Sequence, residues 1–230
     1  MDPQTLLLLP LWYVAFLLSL TCHEAAHALV AREGGDRTAD LAGQVTLNPL
    51  PHLRREPFGT ILIPLITYVQ LGWMMGWASA PYDPVWARHH PRRAALMALA
   101  GPAANVILAV LAFSVLKAGL AVGAWIPALD MEASRLVVPP GEGGGVMEGL
   151  GRFASVVLFL NLILAVFNLL PFPPMDGAAV LGGFLSPMRA LYEKLAGNPL
   201  SGLLGLAVAW LVFPPLFRPV LGQVLRLLFA

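Results

Sequence analysis

The sequence predicts an all-α polytopic membrane protein, and its composition and apolar stretches are the observations that predict it. Of the 230 residues, 58% are hydrophobic and only 12% are charged, whereas a soluble domain carries roughly 25% charged residues. The apolar residues form stretches long enough to cross a bilayer. Many of the 21 prolines and 22 glycines lie inside them, so we expect broken helices. The prediction is a single domain, residues 1–230, with about four to six transmembrane helices.

The composition also excludes several classes of protein. A net charge of +1 gives no reason to expect a nucleic-acid partner. The single cysteine, Cys22, excludes an intramolecular disulfide. The first apolar stretch is preceded by Asp2 rather than by a basic region, and it continues to Val30. We therefore interpret it as a retained helix and not as a secretion signal.

The first predicted helix, from about Leu11 to Arg32, carries the sequence His-Glu-Ala-Ala-His at residues 23–27. Positions i and i+4 share one face of a helix, so His23 and His27 can direct two imidazoles at one point. H-E-x-x-H on a helix is typical of zinc metalloproteases, in which the histidines bind the metal and the glutamate is a general base. The motif therefore predicts a zinc site inside a membrane helix, with Glu24 as the base.

The segment after the first helix is predicted to enter the membrane without crossing it. Residues 44–47, Gln-Val-Thr-Leu, have strand character. Residues 58–80 are apolar but are interrupted by Pro64, Gly72 and Gly76. These breakers favour a re-entrant loop or short hairpin over a continuous spanning helix.

Two further helices are predicted at about residues 94–120 and 153–170. The first contains Ala-Gly-Pro-Ala-Ala-Asn at residues 100–105, and the loop between the two helices is too short for an inserted globular domain. The second ends at the sequence Asn-Leu-Leu-Pro-Phe-Pro-Pro-Met-Asp-Gly, which starts at Asn168. Its three prolines exclude a continuous helix up to Asp176.

The remaining residues, 181–230, are predicted to form a C-terminal helical segment outside the core at about residues 11–180. An amphipathic piece comes first, and an apolar stretch follows at residues 200–229. Because that stretch contains Pro214-Pro215, it is consistent with one kinked span or with two half-spans.

A catalytic zinc commonly has three protein ligands, so a third must come from elsewhere in the chain. His52, His89 and His90 lie in polar connections and would have to fold back. Asp176 is the best candidate, because a carboxylate between apolar segments needs a partner. Alternatively, Asp176 only caps the helix that follows it.

This choice of ligand constrains the topology. His27 lies near the end of its helix and Asp176 lies just past the end of another, so both helices must run in the same direction. An odd number of crossings must then separate the two helices. The helix at residues 94–120 supplies one, so residues 58–80 should not cross the membrane. With this topology the inner side carries nine basic residues, namely Arg32, Arg37, Arg54, Arg55, Arg88, Arg92, Arg93, Arg189 and Lys194. The outer side carries three, Lys117, Arg135 and Arg152. The positive-inside rule then places the active site toward the cytoplasm.

The chain resembles the site-2 protease family of intramembrane zinc metalloproteases. The resemblance rests on the three motifs at residues 23–27, 100–105 and 168–177, which occur in this order and at the edges of apolar segments. The resemblance covers roughly residues 11–180. It is to the compact branch of the family, since the chain has no room for a PDZ insert and no tail for a CBS pair. Many compact relatives have His-x-Asp after Asn-Pro-Leu. His52-Leu53-Arg54 departs from that pattern, so we assign His52 no metal role.

The resemblance implies Zn²⁺ held by His23, His27 and Asp176, with Glu24 as base. It also implies that Asn168 contacts an unwound substrate and that Asn105 shapes the site. The implied substrates are single-pass or small membrane proteins, cleaved within or near their transmembrane segments. The implied location is a bacterial or archaeal cytoplasmic membrane. Two simpler roles remain open, with Asn105 as an interhelical polar contact and Asn168 as a helix terminator.

Two other classes of function are consistent with parts of this pattern. Broken helices and intramembrane carboxylates also occur in ion-coupled transporters, but we find no inverted repeat, and a transporter gives no reason for Glu24 inside the histidine motif. The second alternative is a catalytically inactive metal-binding scaffold, which would tolerate replacement of Glu24 by glutamine.

Overall fold

The structure is a computed structural model, and it describes residues 3–141, 145–196, 198 and 200–230. The helices of this described part are α1 (Pro3–Glu33), α2 (Thr38–Leu41), α3 (Leu50–Arg55), α4 (Ile63–Leu71), α5 (Pro84–His89), α6 (Pro91–Ala121), α7 (Val146–Asn168), α8 (Asp176–Phe184), α9 (Ser186–Ala196) and α10 (Leu200–Phe229). A π-helical turn, Phe58–Leu62, precedes α4. Two strands, β1 (Ile126–Glu132) and β2 (Arg135–Val138), lie between α6 and α7.

Four of the described helices, α1, α6, α7 and α10, are long and apolar enough to span a membrane. The all-α polytopic prediction is therefore confirmed, at the lower end of the expected range. Helices α1, α6 and α7 begin three to eight residues before their predicted starts, α7 ends two residues earlier than predicted, and α10 has the predicted bounds. The stretch at residues 200–229 is one continuous helix that contains Pro214, Pro215 and Pro219.

Helices α1, α6 and α7 form the centre of the bundle. The backbone carbonyl of Ser19 on α1 accepts a hydrogen bond from Asn105 on α6, and the Ser19 hydroxyl accepts one from Asn161 on α7. Further along α1, His27 contacts the carbonyl of Met97 near the start of α6. Helix α6 therefore runs antiparallel to α1, and α7 runs in the same direction as α1.

The segment between α1 and α6 leaves and returns at the same end of the bundle. The Asp83 amide donates a 2.8 Å hydrogen bond to the Asp36 carboxylate, 47 residues earlier. Trp86 and Arg93 both donate to the carbonyl of Gly34, at 3.2 and 3.1 Å. The chain between Asp36 and Asp83 therefore begins and ends at the same end of the bundle. This is the topology expected if His27 and Asp176 bind one metal ion.

Within this excursion, residues 58–71 are helical and the chain then turns back. The helical part is about 21 Å long at 1.5 Å per residue, shorter than the roughly 30 Å of a hydrocarbon core. Helix α4 ends at Gly72, which has the left-handed φ of 77°. The returning chain lies against the turn Phe58–Leu62, where the Trp77 amide donates to the Gly59 carbonyl at 3.1 Å. The re-entrant position of this hairpin in a bilayer stays a prediction.

The strand expected at residues 44–47 does not form in the structure. Residues 45–47 are bends, and none of residues 44–47 has a strand partner among the described residues. The Thr46 carbonyl is near His52 Nε2, at 3.2 Å, and the Thr46 hydroxyl accepts from the Asn48 amide. Local side-chain bonds of this kind hold the backbone in a turn and compete with strand pairing.

The described strands lie in the α6–α7 connection instead. Strands β1 and β2 pair antiparallel, with Ile126 opposite Val138 and Glu132 opposite Arg135. Trp125 fixes this hairpin to the bundle, because its ring is buried and its indole nitrogen donates to the Met147 carbonyl at 2.9 Å. The hairpin covers the end of the bundle away from residues 34–36 and 83–93.

Helix α10 runs alongside α7 and extends between the two ends of the bundle. Aromatic rings of both helices interlock, with Phe167 against Trp210 and Phe213, and Phe159 against Phe217. The Lys117 ammonium donates to the carbonyls of Leu227 and Leu228 at the last turn of α10. Helix α10 of the C-terminal segment therefore packs against α6 and α7 of the core.

Candidate metal centre

Two imidazoles and one carboxylate converge between α1 and the start of α8. His23 Nε2 and His27 Nε2 lie 3.0 Å apart. Asp176 Oδ2 lies 3.2 Å from the first nitrogen and 3.5 Å from the second. These three atoms lie within 4.8 Å of one another, and both histidines are buried. The structure thus brings the three predicted metal ligands together.

The other nitrogen of each imidazole has a partner that fixes its proton. His23 Nδ1 is 2.6 Å from Asn105 Oδ1, and His27 Nδ1 is 2.7 Å from the Met97 carbonyl oxygen. Both partners are acceptors, so each Nδ1 carries a hydrogen, and in the neutral imidazole each Nε2 then presents a lone pair. With neutral imidazoles, three acceptor atoms face one point, and a bound cation would stabilise that arrangement.

The donor set and the space around it fit zinc. Two imidazole nitrogens and one carboxylate oxygen are a common ligand set of catalytic zinc, which leaves a position open for water. Asp176 Oδ2 is buried and accepts no hydrogen bond from the described residues. Helix α6 leaves room at Gly101, where a Cβ would overlap the Nε2 atoms of His23 and His27. The glycine of the Ala-Gly-Pro motif is therefore explained by its close approach to both histidines.

A nonhelical turn brings Asp176 back to the histidines. The chain leaves α7 at Asn168 and turns through residues 169–175 before α8 begins at Asp176. Gly177 lies against the end of α7, where any Cβ would overlap the carbonyls of Leu169 and Leu170. The Pro-x-Pro-Pro sequence prevents α7 from continuing, and the glycine lets the chain fold tightly over the end of α7.

Glu24 is buried beside His23 on the same helix. Within the described part of the chain, no hydrogen bond or ion pair engages its carboxylate. Burying an ionisable group inside a membrane protein is costly, and such groups are therefore functional candidates. The position is the one that the motif predicts for a base next to a metal ligand.

Asn105 lies in the site and Asn168 lies at its edge. Asn105 is fully buried and holds His23 through its side-chain oxygen. Asn168 is half-buried and donates to the Leu164 carbonyl of its own helix at 3.0 Å. The structure therefore attaches Asn105 directly to a candidate ligand, whereas the predicted substrate contact of Asn168 stays a prediction.

Two residues that the motifs do not contain also belong to this region. Asn161 on α7 accepts a 2.8 Å hydrogen bond from Asn105 and donates one of 2.8 Å to the Ser19 hydroxyl. A signal was present in the sequence, because a lone asparagine inside a continuous apolar helix needs a polar partner. What the sequence lacked was the identity of that partner on another helix.

The other histidines lie apart from this cluster. His52 is buried, but its Nε2 faces the Thr46 carbonyl. His89 and His90 are exposed at the end of α5, where His89 Nδ1 faces the Val85 carbonyl at 2.8 Å. The group of potential ligands found among the described residues consists of His23, His27 and Asp176.

Comparison with known proteins identifies the family. The sequence model of peptidase family M50 matches residues 11–212. The chain belongs to peptidase family M50. This is the site-2 protease family, so the resemblance drawn from the three motifs is confirmed, and membership favours a protease over the transporter and scaffold alternatives.

Individual M50 relatives are similar over most of this chain. A Bacillus subtilis protein named as a zinc metalloprotease, YwhC, is 36% identical over 181 residues, which cover 78% of this chain and 71% of that protein. The Rip2 proteins of Mycolicibacterium smegmatis and Mycobacterium tuberculosis, also named as zinc metalloproteases, are 32% and 31% identical. The matches cover 76% of this chain but 58% of each Rip2 protein. No solved structure matches the chain.

Family M50 membership and the four apolar helices together make this chain an integral membrane metalloprotease. Its cofactor is Zn²⁺, in agreement with the donor set described above. The bacterial relatives are consistent with a bacterial cytoplasmic membrane.

Proposed function

We propose that this chain is an intramembrane endopeptidase in which His23, His27 and Asp176 hold zinc and Glu24 is the catalytic base. The observation that carries the proposal is the convergence of three lone-pair donors within 4.8 Å, each histidine having its proton fixed on the opposite nitrogen. Bound zinc lowers the pKa of a water molecule toward about 7 and polarises the carbonyl that this water attacks.

The residues of the chain perform the proton transfers and the positioning. The Glu24 carboxylate accepts the proton of the attacking water and then delivers it to the nitrogen of the leaving amine. His23 and His27 keep their orientation because Asn105 and the Met97 carbonyl hold their Nδ1 hydrogens. The buried position of Glu24 and the histidines keeps bulk water away from the site.

The test of this proposal is cleavage of a model transmembrane substrate by purified protein in detergent or liposomes. Glu24→Gln should lose at least about 100-fold in turnover, the lower range for general base catalysis, while its zinc content equals that of the wild type. His23→Ala and Asp176→Ala should lose zinc and activity together. The proposal is wrong if Glu24→Gln cleaves normally, or if Asp176→Ala retains full zinc.

A groove between α1, α6 and residues 45–47 is the proposed position of the substrate. It has a volume of about 480 Å³ and is lined by Cys22, Ala26 and Leu29 of α1, by residues 45–47, and by Ala104 and Ile107 of α6. Cys22 and Ala26 each lie one residue before a histidine of the motif along α1. An unwound substrate segment in this groove would run along residues 45–47, which form no strand in the structure.

Blocking the groove tests this position. Ala104→Trp should raise KM for a transmembrane substrate by at least tenfold, because the indole would fill the space that the substrate needs. Ala103→Trp is the matched control, since Ala103 is exposed on the same helix and its replacement should leave KM unchanged. Equal effects of the two variants, or normal cleavage after proline substitution at Val45 and Leu47, would contradict the groove as substrate site.

The proposed orientation places the metal centre toward the cytoplasm. Of the inner-side basic residues, Arg32 lies at the end of α1, and Arg92 and Arg93 lie at the start of α6. The others up to Arg88 lie in the segment that connects these two ends, and Arg189 and Lys194 lie on α9. The β-hairpin end carries four basic residues, Lys117, Arg135, Arg152 and Arg226 of the last turn of α10. Reactivity of a cysteine introduced at exposed Arg88 toward an impermeant thiol reagent checks this, because labelling in intact cells would contradict the orientation.

A further inference from the structure

A chain of buried hydrogen bonds connects three helices behind His23. It consists of Ser19 on α1, Asn105 on α6 and Asn161 on α7, and each of these side chains is 0% exposed. The chain ends at His23 Nδ1 on one side and at backbone carbonyls on the other. We propose that Asn161 and Ser19 are positioning residues of the metal centre, because they fix which nitrogen of His23 carries the proton.

The donor-to-acceptor direction of these hydrogen bonds follows from the acceptors that each hydrogen can reach. The Ser19 hydroxyl donates to the Ala15 carbonyl at 2.7 Å, so its oxygen is free to accept from Asn161 Nδ2 at 2.8 Å. The second hydrogen of that Nδ2 goes to the Val157 carbonyl at 2.8 Å. Asn161 Oδ1 therefore has to be an acceptor.

Asn105 continues the same order of donors and acceptors to His23. Its Nδ2 donates to Asn161 Oδ1 at 2.8 Å and to the Ser19 backbone carbonyl at 3.3 Å. Both donors of the amide are thereby used, and its Oδ1 faces His23 Nδ1 at 2.6 Å. The hydrogen of that bond must come from His23, which leaves the lone pair on Nε2 and directs it at His27 and Asp176.

The opposite arrangement is excluded by two backbone carbonyls. If both amides were rotated by 180°, Asn161 Oδ1 would face the Val157 carbonyl and Asn105 Oδ1 would face the Ser19 carbonyl. Each contact would place two acceptors together in a dry interior, where an unpaired polar group costs about 1–3 kcal/mol. Rotated amides would also require hydrogen on His23 Nε2, which removes its lone pair from the metal. The two carbonyls therefore select the tautomer that binds zinc.

The inference rests on the proposed function, and zinc affinity tests it without an activity assay. Affinity is measured on detergent-purified protein by competition with a chelator, and the visible spectrum of the cobalt-loaded protein reports the ligand geometry. Asn161→Leu should weaken zinc binding about tenfold or more, within the roughly 10–100-fold range for groups that orient a ligand. Ser19→Ala should weaken it less, because Asn161 keeps its bond to the Val157 carbonyl.

Ser155→Ala is the matched control for Ser19→Ala. Ser155 is also 0% exposed and also donates to the carbonyl four residues earlier, Gly151, at 2.7 Å. It lies on α7 away from the chain to His23 and accepts from the Leu136 amide instead. Its replacement should change thermal stability and leave zinc affinity and the cobalt spectrum unchanged. A loss of zinc affinity equal to that of Ser19→Ala would overturn the inference.

A double-mutant cycle separates positioning from general destabilisation. If Asn161 acts through Asn105, then Asn161→Leu should have no further effect on zinc affinity in an Asn105→Ala background. Independent, additive losses would overturn the inference. In ¹⁵N NMR of the zinc-free wild type, hydrogen on His23 Nδ1 supports it and hydrogen on Nε2 overturns it. Failure of wild type itself to bind zinc would instead overturn the proposed function.

Discussion

The metal centre has two halves that are supported in different ways. The histidine half, His23 and His27, lies on a helix of 31 residues, and each imidazole has a second hydrogen bond that fixes its orientation. The aspartate half, Asp176, begins a helix of nine residues after a nonhelical turn, and its Oδ2 accepts no hydrogen bond from the described residues. The imidazoles of the first half have hydrogen bonds of their own, whereas Asp176 is positioned through contacts to the turn that precedes it.

This difference indicates that the histidine half of the site is rigid and that the aspartate half can adjust. Three long helices surround the histidine half, and the hydrogen-bond chain through Asn105 ties them to each other. The aspartate half is held from outside by the C-terminal segment. Gly205 of α10 lies directly against the Pro173 carbonyl, and the Tyr192 hydroxyl of α9 donates to the Pro171 carbonyl at 2.9 Å. Residues beyond the predicted core thus position one ligand.

Among the substitutions that keep all three candidate ligands, the largest effect on zinc should come from Gly101→Ala, which acts on the histidine half. The added methyl would overlap both Nε2 atoms, and overpacking of this kind costs about 1–3 kcal/mol, equivalent to roughly 5- to 150-fold in affinity. Chelator competition measures the loss. Gly222→Ala is the control, since a Cβ there meets no atom within 4 Å. Normal zinc affinity in Gly101→Ala would show that the histidine half is less rigid than described.

The next effect should come from Gly205→Ala, which acts on the aspartate half. A methyl there would displace the Pro173 carbonyl and with it the turn that leads to Asp176. We expect a loss of about tenfold in zinc affinity, at the lower end for groups that orient a ligand. The matched control is Gly202→Ala on the same helix, where a Cβ meets no atom within 4 Å. Equal affinities of the two variants would mean that α10 does not position Asp176.

A smaller effect on the aspartate half should come from Tyr192→Phe. It removes the hydrogen bond to the Pro171 carbonyl, and because this side chain is partly exposed, the loss should be near the lower limit of about 0.5 kcal/mol. That corresponds to a two- to threefold change in zinc affinity or in turnover at saturating zinc. A change larger than tenfold would assign Tyr192 a role beyond holding the turn.

Asp36→Asn should leave both halves intact and lower only the stability of the fold. Burial acts to raise the pKa of the Asp36 carboxyl, but hydrogen bonds from the Thr38 hydroxyl and from the Asp83 and Thr38 amides outweigh burial and lower it. Because the folded pKa is depressed, this carboxylate stabilises the fold above the ordinary carboxyl pKa, and the stabilisation disappears as pH falls through the folded value.

Thermal unfolding of the zinc-loaded protein checks this prediction. At pH 7, Asp36→Asn should be destabilised by about 1–3 kcal/mol, and the difference from the wild type should shrink toward acidic pH. Zinc affinity at pH 7 should equal that of the wild type. A loss of zinc affinity would show that closing the segment between Asp36 and Asp83 is needed to form the metal centre.

The order of the motifs was enough to predict much of this protein. The spacing of His23 and His27 places both on one helical face whatever surrounds them, because 3.6 residues per turn is a local property. Prolines between Asn168 and Asp176 end a helix for an equally local reason. Helix direction followed from requiring that two ligands meet. The prediction of strand character at residues 44–47 was wrong. Polar side chains there form hydrogen bonds to the nearby backbone, and strand preferences of single residues do not reveal such bonds.

The sequence by itself determined the membrane class and the long helices, since these depend on composition and on periodicity along the chain, and it also named the three candidate ligands. Only the tertiary structure decided what holds those ligands. The pairing of Asn161 with Asn105, the approach of Gly101 to both histidines, and the contact of Gly205 with Pro173 each join residues from different helices. Such contacts depend on the distance and rotation between helices, and no pattern along a single chain encodes them.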